Sequence, residues 1–245
     1  MRTSLPCSET LGYHMKMLPL SVRRQHFLNY ICRMEIIFGT QNKGKLAEAR
    51  AICRKLGKIY GIELEAVPMP EKADIPEDGD SYRANSLQKA EWIWNRYHKS
   101  CFADDSGLEV AALGGAPGIH TARYCDRNFA SGMDKLLFEL EQKGAMEATE
   151  RKASFECCIT LILAPEDCPT GMEAGKAYYF NGHCPGTISK EKCGCGGFGF
   201  DPVFMAEATP GLCMAEIDED LKNSISHRAL ALEAMFKHLA TAEQE

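Results

Sequence analysis

Cys101-Phe102-Ala103-Asp104-Asp105-Ser106-Gly107-Leu108 sets two adjacent carboxylates at the end of a short apolar run, followed by a hydroxyl and a glycine. The apolar residues read as the close of a buried strand, and Gly107 permits a sharp turn after it. On that reading Asp104 and Asp105 stand at a strand's C-terminal edge, where open α/β sheets bind their ligands. The plainer alternative is a surface turn, because Asp, Ser and Gly all favour turns.

The sequence around this stretch supports an α/β fold. Upstream, Met34-Glu35-Ile36-Ile37-Phe38-Gly39 is an apolar run that passes through the polar loop Thr40-Gln41-Asn42-Lys43-Gly44-Lys45 into a helical pattern, with Leu46, Ala49, Ile52, Cys53 and Leu56 on one face. A loop that offers backbone N–H groups at a helix N-terminus suits phosphate, and Lys45 adds positive charge there. The loop is not a Walker A motif, which has four residues between its glycines and then Lys-Ser/Thr. Ile62 to Val67 alternates as a second strand, and a connector rich in proline and acid, Pro68 to Gly79, carries Glu77. Leu87, Ala90, Trp94 and Tyr97 predict a helix from Ser81 to Tyr97, capped by Ser81 or Asp80. Asn85 and Lys89 share a face of it, which by spacing alone reads as solvated surface.

Downstream, Gly114 to Gly118 is a loop leading to Thr121-Ala122-Arg123-Tyr124, and a helix is predicted around Met133 to Lys143. Lys152 to Leu163 alternates as a strand, with Tyr178 to Phe180 as its hairpin partner. Gly194-Cys195-Gly196-Gly197-Phe198-Gly199 matches the dinucleotide fingerprint in letters but not in context, since it runs into Phe200-Asp201-Pro202 instead of a helix. A phenylalanine flanked by glycines at a loop tip suits a stacking platform, or else an anchor into the core. Lys222-Asn223-Ser224-Ile225-Ser226-His227-Arg228 opens a helix with the stripe Ile225, Ala229, Leu232, Phe236 and Leu239. Cations in its first turn make sense where an anion or a carbonyl oxygen is expected.

Composition bounds the function. With 245 residues, 45% hydrophobic and 25% charged, the chain is an ordinary globular protein with no run long enough for a membrane span. A net charge of -6 argues against a broad nucleic-acid surface. Most of the twelve cysteines, among them Cys53, Cys101, Cys157 and Cys158, read as small core hydrophobes with reduced thiols in a cytoplasm, not as a disulfide framework. Cys193-Gly194-Cys195 with His183 and Cys184 suggests zinc, but the Cys-x-x-Cys spacing is missing. Residues 1–33 lack a secretory pattern and read as a disordered extension or as the product of an upstream start codon, with Met34 the working initiator. Residues 34–245 read as a single domain.

Five blocks in order resemble the inosine triphosphate pyrophosphatase family, which hydrolyses non-standard purine nucleoside triphosphates to monophosphate and pyrophosphate. They are Phe38 to Lys45, Ala103 to Leu108, Gly114 to Gly118, Gly196 to Pro202 and Ser226-His227-Arg228. The resemblance spans residues 34–240. It implies a long mixed twisted sheet flanked by helices, two lobes around a nucleotide cleft, a homodimer, and Mg²⁺ as cofactor. By the same resemblance Thr40, Gln41, Asn42, Lys43, Gly44 and Lys45 hold the triphosphate, with Lys89 as a second lysine on the phosphate side. Asp105 is then the general base and shares the metal with Glu77, while Ser106 lines the site. Phe198, with Gly199 and Phe200 beside it, stacks on the base; Asp201 and Lys222 hold the nucleoside; His227 and Arg228 read the base edge. The implied substrates are ITP, dITP and XTP. The chain departs from the family pattern at Ala84, where many relatives are acidic, at Phe200, usually Tyr, and at His120-Thr121, usually Tyr-Ser. Two alternatives remain: a septum-inhibitor-type pyrophosphatase with another base preference, against which the Ser-His-Arg block argues, and a nucleotide sensor without catalysis.

Overall fold

The computed structural model describes residues 34–125 and 127–242; the expected extension, residues 1–33, lies outside the described residues. Strand β1 (Met34–Phe38) leads through the polar loop into helix α1 (Lys43–Tyr60), which Gly61 ends in a left-handed conformation. Asn42 caps α1, its side chain accepting from the amides of Gly44 and Lys45. Strand β2 (Leu64–Pro68) is followed by helix α2 (Tyr82–Tyr97), capped by Ser81, one of the two caps expected. Then come β3 (Cys101–Val110), the short β4 (Pro117–Gly118), helix α3 (Gly132–Gln142), and the long strands β5 (Lys152–Ile162) and β6 (Ala177–Ile188). Strand β7 (Phe204–Ala206) and helices α4 (Glu219–Ile225) and α5 (His227–Ala242) complete the chain.

One mixed sheet runs β2-β1-β3-β5-β6-β7, with β4 pairing β3 from the side. β2, β1 and β3 are parallel and joined through helices α1 and α2, as parallel neighbours need a crossover, whereas β5, β6 and β7 run antiparallel and form the extension. Each lobe has its own core. Phe38, Phe102, Ile159 and Phe180 pack with α1 and α5 on one face of the sheet, and Ile37, Cys101 and Ala103 pack with Ala90 and Ile93 of α2 on the other. Leu108, Val110, Phe155 and Phe204 pack with Leu136 and Leu140 of α3 in the second lobe. Among the described residues no helix is long and apolar enough to cross a membrane.

Three expectations change. β3 does not end before the carboxylates: it pairs β5 without interruption from Cys101 with Ile162 to Val110 with Ala153. Gly107 therefore makes no turn. It serves close approach instead, since a Cβ there would come within 2.2 Å of the Gly118 carbonyl oxygen. The helix expected from Lys222 is two helices, because Ser226 takes extended angles (φ -68, ψ 152) between α4 and α5. Lys222 thus sits in the last turn of α4, where a helix dipole favours a cation, and only His227 and Arg228 stand at the start of α5. Asn85 and Lys89 are buried, not solvated.

β6 lets α5 in at one point. A Cβ at Gly182 would lie 1.9 Å from the His227 carbonyl oxygen and 2.6 Å from the Ala231 nitrogen, both backbone atoms. Gly182→Ala is expected to cost about 1–3 kcal/mol of folding stability as helix and strand are forced apart. Urea unfolding measures it, and an unchanged midpoint would mean that α5 yields without strain.

Candidate active site

Because side chains alternate along a strand, adjacent Asp104 and Asp105 point to opposite faces of the sheet. The chain has left β1 by this point, since β1 pairs β3 only at Ile37 with Cys101 and Phe38 with Phe102. The two carboxylates therefore lie just past the end of β1, with helices α1 and α5 reaching one and α2 the other.

On the first face Asp104 is 1% exposed and its Oδ2 accepts four bonds. Arg228 donates two, from Nη2 at 2.8 Å and Nε at 3.0 Å; Lys45 Nζ and Ser106 Oγ donate one each at 3.1 Å. Arg228, also 1% exposed, gives Nη1 to Glu48 and a further Nη2 bond to Ser106 at 3.1 Å. Glu48 in turn accepts from Ser226 Oγ at 3.3 Å. Burial alone would raise the Asp104 pKa, but Lys45, Arg228 and Lys89 hold it well below the usual carboxylate range. Burial likewise opposes the Arg228 charge, yet Asp104 and Glu48 outweigh it and raise its pKa.

On the second face Asp105 Oδ2 accepts from Asn85 Nδ2 at 2.9 Å, and its Oδ1 lies 3.5 Å from Lys89 Nζ. Lys89 also donates to Glu77 Oε1 at 2.8 Å, so two carboxylates converge on one ammonium. Burial raises the pKa of Asp105 above the ordinary aspartate value, against the pull of Lys89, Asn85 and Lys45. Lys89 shows the reverse balance: burial disfavours its charge, while Asp104, Asp105 and Glu77 keep it raised.

Beyond the first face opens a cleft lined by Lys45, Ser106, Phe155, Phe198, Lys222 and His227, among others. Asp201, buried, accepts from Lys222 Nζ at 2.5 Å and from the Phe198 amide at 2.6 Å. Lys222 Nζ also lies 4.6 Å from the centre of the half-buried Phe198 ring. The loop before α1 meets this ring directly, since a Cβ at Gly44 would come within 3.3 Å of it. Gly199, with φ at +63°, lines the same cleft, and Phe200 is buried beside Tyr124. His227 stacks on Phe155 with centroids 4.8 Å apart, and its Nδ1 is buried with no partner. Burial and neighbouring Arg228 keep this imidazole neutral, its pKa well below the usual value.

Of the expected residues, Lys45, Ser106, Phe198, Gly199, Phe200, Asp201, Lys222, His227 and Arg228 line the cleft, Glu77, Lys89 and Asp105 meet on the other face of β3, and Thr40, Gln41, Asn42 and Lys43 line neither. Thr40 Oγ1 accepts from the Asn42 amide at 3.2 Å, Gln41 donates to the Ala73 carbonyl, and Lys43 is exposed at the start of α1. The helix N-terminus expected to seat phosphate is already capped: Asn42 Oδ1 takes the Gly44 and Lys45 amides at 2.8 and 3.2 Å. Lys45 turns to Asp104, and Arg228, expected at the base edge, is committed largely to carboxylates. Glu48 is a residue that sequence reasoning missed. Its one signal is a charge beside Ala49 and Ile52 on the apolar face of α1, where a carboxylate needs a buried partner. Phe155, read as a core strand residue, proves to be the shelf under His227.

A model of the Ham1 family matches residues 36–238. A dITP/XTP pyrophosphatase of Porphyromonas gingivalis is 42% identical over 85% of this chain and 99% of its own, and one of Listeria monocytogenes is 37% identical over 84% and 95%. Among solved structures, a HAM1 protein from Coxiella burnetii matches with a TM-score of 0.69 at 33% identity, covering 85% of this chain and 99% of its own. A dITP/XTP pyrophosphatase from Mycobacterium abscessus matches at 0.58 and 30%, covering 82% and 98%.

The ion cluster on the first face makes a sharp energetic statement. Arg228→Met strands the buried Asp104 and Glu48 carboxylates and is expected to cost about 3–5 kcal/mol. Lys45→Met, whose side chain is 21% exposed, should cost distinctly less. Denaturant unfolding of both variants checks this, and equal losses would show that burial does not set the energetics.

Proposed function

The chain belongs to the Ham1 family, and from that membership and the site geometry we propose that it hydrolyses ITP, dITP and XTP to the monophosphate and pyrophosphate. The observation that carries this reading is the split of Asp104 and Asp105 across β3. One carboxylate anchors a cationic cluster beside an aromatic cleft, and the other stands with Lys89 and Glu77 where a polyphosphate and its counterion can be met.

The reaction needs negative charge neutralised on the polyphosphate and a water positioned for attack. Lys45, Lys89, Thr40 and Asn42 would supply the phosphate contacts, with Gln41, Lys43 and Gly44 completing the loop. Asp105 would accept the proton of the attacking water, and its raised pKa makes it a better base than an ordinary aspartate. Glu77 and Asp105 suit a divalent cation, because their oxygens already surround one positive centre, Lys89 Nζ, and hard oxygen donors are what Mg²⁺ prefers. When bound there, Mg²⁺ would neutralise phosphate charge and orient the scissile anhydride.

At the other end Phe198 would stack on the purine, Lys222 and Asp201 would hold the nucleoside, and Ser106, Gly199 and Phe200 would line the pocket. Arg228 spends N–H groups on Asp104, Glu48 and Ser106, which leaves one on Nη1 to reward a 6-oxo purine. Adenine, which presents an amino donor at that position, would be left mispaired. A site built on hydrogen bonds discriminates such pairs by about 10⁴-fold or more. The resemblance to this family further supports a homodimer serving a cytoplasmic nucleotide pool; sedimentation of the full chain reads the assembly, and a monomer at working concentration would remove the dimer.

Incubation with ITP and Mg²⁺ should release pyrophosphate, and release of orthophosphate or equal turnover of ATP would overturn the proposal. Asp105→Asn should lower turnover about 10²–10⁴-fold with unchanged circular dichroism, as expected for loss of a general base. Activity like that of the wild type would remove Asp105 from that role.

A further inference from the structure

The zinc-like letters of the sequence do not come together as their order suggests. His183 Nδ1 pairs with Glu156 Oε1 at 2.5 Å on the far part of β6, Cys184 is buried in the second core, and Cys195 is exposed at the tip of its loop. Cys193 instead meets two residues from beyond β7. Its sulfur, the Cys213 sulfur and a Glu216 carboxylate oxygen all lie within 4.8 Å of one another.

The backbone holds these donors in place from both sides. Cys193 N donates to the Pro202 carbonyl at 2.7 Å and Gly196 N to the Ala215 carbonyl at 3.1 Å, while Met214 N reaches the Phe204 carbonyl at 2.8 Å and Ala215 N the Asp201 carbonyl at 3.2 Å. The Glu216 carboxylate is oriented by the Cys213 amide, which donates to its Oε2 at 2.8 Å, and the Glu216 amide returns a bond to the Cys213 carbonyl at 2.8 Å. Cys213 is fully buried, Cys193 half-buried and Glu216 exposed, so the cluster is open to solvent on one side only.

We propose that Cys193, Cys213 and Glu216 form a site for a thiophilic divalent cation, Zn²⁺ before others, which clamps the Phe198 loop to the segment that follows β7. Two sulfurs and one carboxylate suit Zn²⁺, whereas Mg²⁺ and Ca²⁺ favour oxygen alone. Three protein donors leave one tetrahedral position, on the open side, for water. Uptake of the cation by the two thiols releases two protons and changes no oxidation state. The site is separate from the Glu77 and Asp105 pair, and it governs the loop that presents Phe198 and precedes Asp201.

The test uses the full chain, fully reduced and treated with chelator, titrated with Co²⁺ and then Zn²⁺. Co²⁺ should produce a sulfur-to-cobalt charge-transfer band at one equivalent, which Zn²⁺ abolishes, and Zn²⁺ should raise the melting temperature. Both effects should be lost in Cys193→Ser and Cys213→Ser, and both kept in Cys195→Ser and Cys158→Ser. Cys193 is half-buried, so its variant remains informative if Cys213→Ser fails to fold. A reduced protein without the band, a band that survives Cys193→Ser, or one lost with Cys195 or Cys158 alone would overturn the proposal. Co²⁺ held by Glu77 and Asp105 gives no such band, and neither readout depends on turnover.

Discussion

Asp104 and Arg228, each 1% exposed, form the interaction on which the rest of the site leans. Two charges taken out of water lose several kcal/mol of hydration apiece, and their attraction offsets that only when the remaining lone pairs and N–H groups are also met. Here Lys45, Ser106 and Glu48 meet most of them, which joins α1, β3 and the first turn of α5 through side chains alone. The constraint is mutual. Glu48 could not sit on the apolar face of α1 without Arg228, and Arg228 could not be buried without both acids.

The same strand solves a second problem through its pleat. Two buried acids on one face would repel each other and compete for the same cations. Alternation along β3 separates them by one residue. Asp104 belongs to the arginine cluster and keeps a depressed pKa, whereas Asp105, one position on, is raised by burial and left with Asn85, Lys89 and Glu77 for company.

Much of the fold was legible from local pattern. The apolar run at β1, the period-two run at β5, the apolar stripe of α1 and the Ser81 cap of α2 follow from what each segment must bury or satisfy within a few residues of itself. Where that pattern misled, a distant partner had overruled it. Asp-Asp-Ser-Gly reads as a turn until ten residues of β5 are laid beside it, and Asn85 and Lys89 read as surface until two carboxylates arrive to receive them. The helix at Lys222 breaks at Ser226 because its hydroxyl turns to Glu48 and to the Ala229 amide.

The sequence by itself determined the element types, the five motif blocks and the inventory of chemistry: two acids, the loop lysine, a phenylalanine among glycines, and Ser-His-Arg. Only the tertiary structure decided which acid faces which helix, that Glu48 belongs to the site, and that Cys193 meets Cys213 instead of Cys195. The reason is range. Capping and periodicity act across three or four residues, whereas Arg228 meets Asp104 across 124 positions and Glu48 across 180, and no local rule selects a partner at that distance.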